Sequence, residues 1–357
     1  MIPALYYSIV YLTIITILSL FAFGRYGRYS SGRLLERNKE SIIPSFLLFV
    51  FMVLFIGFRP ISHVFVDMAG TASEWEFWDM GTYSFRWDVE NLLYDNLRIY
   101  MVTEHIPVEH FFKIIALIYY GAMYIACRRL FPQDTLFAYL VFLGAFSSFS
   151  YGTNGIKAGS ASSMFMMALA YRDKPIVTTM LALVSLGFHH SMIMVIASYL
   201  IVYLYHKPKW YFVLWFFSLG VAALHINVFQ SFFQSVADES GQSYLEEQQF
   251  GKGFRMDFIL YSAIPVLVGY YAIFKKKIQS KSYNIILCLY IMTNAIWMLC
   301  MYAEFTNRIA YLSWFQYPVV LIYPFLKEKW GAKQYGTVQI VAYGHLVFTL
   351  FMEFIYY

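Results

Sequence analysis

Apolar residues along this chain fall in runs of about 15 to 20, the length a helix needs to cross the hydrocarbon core of a bilayer. The runs recur from end to end, at 4–23, 42–58, 111–127, 135–151, 154–171, 175–188, 190–205, 210–227, 257–274, 283–303, 307–325 and 336–355. Short basic connections and two long polar ones separate them. The pattern predicts an all-α, polytopic transmembrane helical bundle of about 12 spans (10–12), built as a single integral membrane domain over residues 1–357. Pro175 to Tyr205 is a special case, because roughly thirty residues must pass twice. A helical hairpin with its tip at Gly187-Phe188-His189-His190 satisfies that demand, and irregular backbone at such a tip needs protein or water around it.

Composition narrows the class. Hydrophobic residues make up 60% of the chain and charged ones 13%, against roughly a quarter charged in soluble domains. That leaves too little polar surface for a soluble fold. In the first run, Ala4 to Phe23, the basic cluster follows the apolar residues. A cleaved signal peptide has the opposite order, so a retained span is expected.

Charge then sets an orientation. Arg25, Arg28, Arg33, Arg37 and Lys39 share one side with Arg128 and Arg129, Arg172 and Lys174, and Lys207 and Lys209. Lys275 to Lys277 with Lys281, and Lys327, Lys329 and Lys333, complete the set, which holds 18 of the 26 basic residues. The excess marks that side as cytoplasmic and makes both termini extracytoplasmic. The large outer loops at 59–110 and 228–256 then lie outside. The first carries nine acidic residues, among them Asp67, Glu74, Glu76, Asp79, Asp88 and Glu90, together with Trp75, Phe77, Trp78, Tyr83, Phe85 and Trp87. Aromatic rings mixed with acids either anchor a protein at the interface or stack against and bond sugars. The second loop holds Asp238, Glu239, Glu246 and Glu247.

Cys127, Cys288 and Cys300 sit in or beside apolar runs without metal-ligand spacing, and read as buried thiols. No Walker loop, GxGxxG, HExxH or CxxC occurs in the sequence. ATP hydrolysis and dinucleotide chemistry are thereby disfavoured, and no cofactor or metal is expected.

Polar residues near the predicted outer face form a short list. An ionised side chain near the bilayer centre costs roughly 2.5–3.5 kcal/mol on insertion scales, so such residues are candidates for function. Arg59 precedes Pro60, which disfavours helix there and ends the span. His63 and Asp67 follow closely. Lys157 lies in TNGIKAGSASS, where Gly155, Gly159 and Ser163 at four-residue spacing allow close helix approach. His189 and His190 occupy the hairpin tip, as proton acceptors, phosphate donors or satisfied structural residues. Arg308 follows Glu304 by four residues, so it either pairs with it on one helical face or points into the cavity with Lys157. Arg255 and Asp257 are further candidates of the same kind. Several cations beside histidine suit a membrane-borne anion, since Arg matches phosphate oxygens with a planar fork and Lys acts as a mobile point charge.

Four places in this order resemble the EpsG-like branch of the Wzy-type bacterial polysaccharide polymerases of O-antigen, capsule and exopolysaccharide pathways. They are Gly57-Phe58-Arg59 with Asp67, Asn154-Gly155-Ile156-Lys157, Phe188-His189-His190-Ser191, and Asn307-Arg308-Ile309-Ala310-Tyr311. Lys157 stands where that family usually has Arg, and Ala158-Gly159 replaces its usual Gln-Ala. The resemblance implies a glycosyltransferase that joins undecaprenyl-diphosphate-linked oligosaccharide repeats at the outer face of the bacterial plasma membrane, without metal or nucleotide. It implies His189 or Asp67 as the base, and Arg59, Lys157, Arg308, His190, Asn154 and Arg255 as substrate or diphosphate contacts. The expected partners are the lipid-linked donor and acceptor, the bilayer, and a chain-length regulator and flippase, with no nucleic acid. Two alternatives remain open: a lipid-linked oligosaccharide flippase or other transporter, and a membrane O-acyltransferase.

Overall fold

The computed structural model describes residues 2–26, 34–77, 81–226, 253–303, 306–331 and 333–356. Helix accounts for 78% of the structure, and the described residues hold no strand. In chain order the helices are α1 (Tyr7–Tyr26), α2 (Leu34–Gly57), α3 (Val66–Phe77), α4 (Leu92–Thr103), α5 (Val108–Leu130), α6 (Thr135–Leu143), α7 (Phe146–Thr153) and α8 (Ile156–Ala170). There follow α9 (Pro175–Phe188), α10 (Met192–Leu204), α11 (Pro208–Ala223), α12 (Met256–Tyr270), α13 (Lys281–Leu299), α14 (Thr306–Trp314), α15 (Tyr317–Leu326) and α16 (Gln334–Phe351).

Six of the twelve expected runs form helices long and apolar enough to cross a membrane alone, at Ala4–Arg25, Val108–Leu130, Met256–Lys275, Lys281–Leu299, Arg308–Leu326 and Gln334–Tyr356. The apolar stretch Ile42–Gly57 and helices α8 to α11 have 13 to 16 residues. At 1.5 Å per residue they extend only about 20 to 24 Å, short of a core about 30 Å thick. The run at 135–151 is not one straight helix either. It is the pair α6 and α7, bent by 74° at Gly144-Ala145.

Such a bend exposes backbone carbonyls, which cannot stay unpaired away from water. Their partners come from three helices. Tyr11 of α1 donates its hydroxyl to the Leu143 carbonyl (2.7 Å), His345 of α16 donates Nε2–H to Val141 (3.1 Å), and Thr349 of α16 donates to Gly144 (2.8 Å). Ser148 of α7 turns back onto Phe142 (2.6 Å). The bend is thus clamped by side chains distant in sequence.

The chain divides into two compact units, 1–193 with 331–357, and 194–330. In the first, α5 packs against α2 and α8, and α8 against α9. In the second, the buried helix α13 packs against α11 and α14, and α12 against α15. Indole N–H groups knit this second unit. Trp215 donates to Asn294 (2.8 Å), Trp297 to Thr306 (2.9 Å) and Trp314 to Ser262 (2.8 Å).

The segment 59–110, expected as a long outer loop, contains α3 and α4. Arg98 pairs with Glu74 (2.7 Å), and Trp75 donates its indole N–H to the Ile106 carbonyl (3.1 Å). Most of the second expected loop lies outside the described residues, as do Glu304, Asp79, Trp78, Arg28 and Arg33.

Candidate functional site

The site is assembled where helix ends of the first unit meet. Helix α2 stops at Gly57, because Pro60 three residues on bars its continuation. Arg59 turns inward and is 5% exposed. Its Nη1 donates to the Ile56 carbonyl (2.8 Å) and its Nη2 to the Thr153 carbonyl (3.3 Å), at the last turns of α2 and α7. Helix C-termini carry partial negative charge, so a cation between two of them is favoured. The guanidinium also faces the rings of Phe65 (5.3 Å) and Phe112 (5.7 Å). Arg59 therefore fastens the end of α2 to the residue just before Asn154.

Asn154 and Gly155 form the corner between α7 and α8. The small-residue seam expected here is used at once. A side chain at Gly159 would meet the Tyr151 carbonyl at 2.5 Å, so α8 folds directly against α7. Lys157 sits in the first turn of α8 and is half-buried. A cation there adds to the positive helix end instead of offsetting it. Its Nζ lies 5.6 Å from the centre of the Tyr94 ring. Among the described residues, neither Arg59 nor Lys157 has a carboxylate as its ion-pair partner.

Tyr94, on α4, was not singled out by the sequence, yet it faces Lys157 and packs against the end of α9. It is 1% exposed. Its ring packs edge-on against Phe111 (5.3 Å) and against Phe188 (6.2 Å) at the end of α9. Burial pushes its hydroxyl well above the usual phenol range. Arg98 opposes this, Asp67 adds to it, and a hydrogen bond with Thr71 pulls it back. Tyr94 thus stays a neutral phenol. Asp67 opens α3, where a carboxylate complements the helix N-terminus. His63 is exposed.

The tip after α9 is held by the start of α4. Gly187 lets the two approach, since a side chain there would meet Leu93 at 2.6 Å. The backbone N–H of His190 donates to Oδ1 of Asn91 (3.1 Å), and its Nδ1 lies 3.1 Å from Glu90. The rings of His189 and His190 are 5.2 Å apart. The start of α4 thereby meets Lys157 through Tyr94 and His190 through Asn91 and Glu90, and Tyr94 lies within electrostatic reach of Arg59 and Asp67. No sequence motif pointed to α4, whose chemistry rests on Tyr94, Asn91 and Glu90; the acid-rich aromatic composition of 59–110 was the only signal.

Arg255 and Arg308 belong to the second unit. Arg255 grips Asp257 with two hydrogen bonds (3.0 and 2.6 Å) and lies 3.6 Å over the Phe258 ring. Arg308 is exposed in the first turns of α14. Its expected partner Glu304 lies outside the described residues. The three cysteines are buried thiols, as their positions suggested. Among the described residues, no three His, Cys, Asp or Glu side chains form a group that could hold a metal ion.

No curated protein and no solved structure matches the chain. A family model described as the EpsG family matches residues 42–357, which includes every site residue above. On that match, the chain belongs to the EpsG family of Wzy-like polysaccharide polymerases.

Proposed function

We propose that the protein joins undecaprenyl-diphosphate-linked oligosaccharide repeats, with the α4 neighbourhood facing the exterior of a bacterial plasma membrane and both termini on that side. The observation that supports this most is the setting of Lys157. It is a cation on a positive helix end, paired with an aromatic face where a carboxylate would have neutralised it. A diphosphate ester suits that setting. Breaking the bond from the anomeric carbon to the diphosphate loads negative charge onto the leaving oxygens, and preplaced cations stabilise that charge more than the ground state. The diphosphate linkage already holds the activation energy, so the reaction needs no nucleotide or metal.

In this reading Lys157 meets the diphosphate, and Asn154 lies at the same corner. Arg59 contributes positive potential and fixes the Thr153–Lys157 turn. His189 or Asp67 takes the proton of the incoming hydroxyl, and His190 contacts the substrate. Arg308 is proposed as a further contact to the substrate, whereas the fork of Arg255 is taken by Asp257 inside the protein. Lipid tails reach the site between helices, and a flippase and chain-length regulator act with the enzyme. Reconstitution of the full chain with purified lipid-linked repeat is expected to yield a ladder of polymer. Absence of a ladder, with intact repeats accumulating on the far leaflet, points to the transporter reading.

A further inference from the structure

The aromatic stretch Tyr83 to Asp88, just before α4, has no part in the reading above, yet α4 holds it in place. The clamp is Asn96, which is 3% exposed. Its Oδ1 accepts the backbone N–H of Arg86 (2.8 Å), and its Nδ2 donates to the carbonyls of Arg86 (2.8 Å) and Leu92 (2.7 Å). The amide is fully used, and both backbone polar groups of Arg86 are pinned.

Pinning Arg86 sets the side chains around it. Phe85 and Trp87 make an edge-to-face pair with centroids 4.9 Å apart, and Trp87 is 80% exposed. Earlier in the stretch, Tyr83 packs edge-on against Tyr100 of α4 (5.3 Å). Arg86 meets Asp88 with two hydrogen bonds, from Nε (3.3 Å) and Nη2 (2.8 Å), and the pair stands exposed. Those bonds hold the Asp88 carboxyl below the usual carboxylate range, so it only accepts. The other guanidinium N–H groups and carboxylate lone pairs remain to bond a ligand.

Exposed rings beside a donor–acceptor pair suit a pyranose. A sugar has C–H faces that lie on an aromatic ring, and hydroxyl edges that both donate and accept. Anchoring in the bilayer needs a different setting. Interfacial Trp and Tyr flank apolar spans, whereas residues 86–95 carry Asp88, Glu90 and Asp95 against Arg86 alone. Phospholipid phosphates repel that excess of negative charge. The stretch also leads into the candidate site, since Asn91 accepts the His190 N–H (3.1 Å) and Tyr94 faces Lys157 (5.6 Å).

We propose that Phe85 and Trp87, with Arg86 and Asp88 at their edge, form a platform that binds the sugar chain of the substrate. The inference rests on the glycosyl-transfer reading above for the substrate that arrives there. The rings stack on sugar C–H faces, and the ion pair bonds hydroxyls. Asn96 is a positioning residue that touches no sugar.

The test uses the full chain reconstituted in vesicles. Trp87→Ala removes an exposed ring on which the fold does not depend. It is expected to raise KM for the purified lipid-linked repeat about tenfold or to shorten the polymer ladder, the scale of one lost aromatic contact. Uniform binding is then lost, so kcat stays within about twofold, and Trp87→Phe recovers most of the effect. A raised KM assigns the platform to the incoming repeat, and a shortened ladder assigns it to the growing chain. KM and ladder length both at wild-type values, whatever kcat, overturn the proposal and leave the polymerase reading standing. A second readout needs no catalysis. The repeat oligosaccharide, freed from its diphosphate by mild acid, is expected to shield tryptophan fluorescence from acrylamide, by an increment that disappears in Trp87→Phe. Quenching by brominated phospholipid that disappears in Trp87→Phe would instead seat Trp87 in the bilayer and overturn the platform. If wild type makes no polymer while the shielding persists, the glycosyl-transfer reading falls and the platform stands.

Discussion

Arg255 in the second unit and Lys157 in the first are both cations at the start of a helix, and they are treated in opposite ways. Arg255 has a carboxylate two residues on, which takes both arms of its fork, and a phenyl ring beneath it. Lys157 has the face of Tyr94. A bidentate ion pair satisfies a guanidinium internally and leaves little electrostatic work for a ligand. A lysine over an aromatic face gains about 0.5–2 kcal/mol and keeps its charge for an anion. Arg59 lies between these cases, with its charge spent on two helix-end carbonyls. The contrast separates a cation that holds the protein together from one held ready for substrate.

Three substitutions sharpen or break that contrast. Lys157→Met is expected to cost about 100-fold or more in polymer formation, on the scale of losing one preorganised donor, with the unfolding temperature unchanged. Polymer at the wild-type rate would remove Lys157 from the site. Arg59→Met is expected to act mainly on the fold. It strips the Ile56 and Thr153 carbonyls of their donor, for about 2–4 kcal/mol of stability in detergent unfolding, and activity falls along with it. Full stability with abolished activity would instead make Arg59 a direct substrate contact. Asp257→Asn is expected to do least, lowering polymer yield by less than about threefold, since a partly exposed pair contributes about 1 kcal/mol or less. A loss as large as that of Lys157→Met would place Arg255 among the reacting groups.

Several of these residues were legible in the chain, and their partners were not. Lys157 stood out because a charge among Gly155, Gly159 and Ser163 has no reason to face lipid. His189 and His190 stood out because they interrupt an apolar stretch. Arg59 was legible as a residue at the end of a span, but its direction was not, because its acceptor is the carbonyl of Thr153, far along the chain. Tyr94 escaped notice altogether. One tyrosine in a tyrosine-rich chain acquires meaning only from the Lys157, Phe188 and Asp67 that surround it.

The straightness of the spans escaped the sequence for a related reason. An apolar run reports that a segment avoids water, but not whether it stays straight. The run at 135–151 reads as one helix, whereas its bend depends on Tyr11, His345 and Thr349 to satisfy the freed carbonyls. Likewise α9 and α10 are apolar enough for a membrane and too short to cross it alone.

Local composition determined the helical class, the membrane setting, the family and the positions of the unusual charges, since each depends on residues adjacent in the chain. Tertiary structure decided which charges are neutralised and that the start of α4 meets both Lys157 and His190. Those outcomes depend on hydrogen bonds and ring contacts between helix ends that only folding brings within reach.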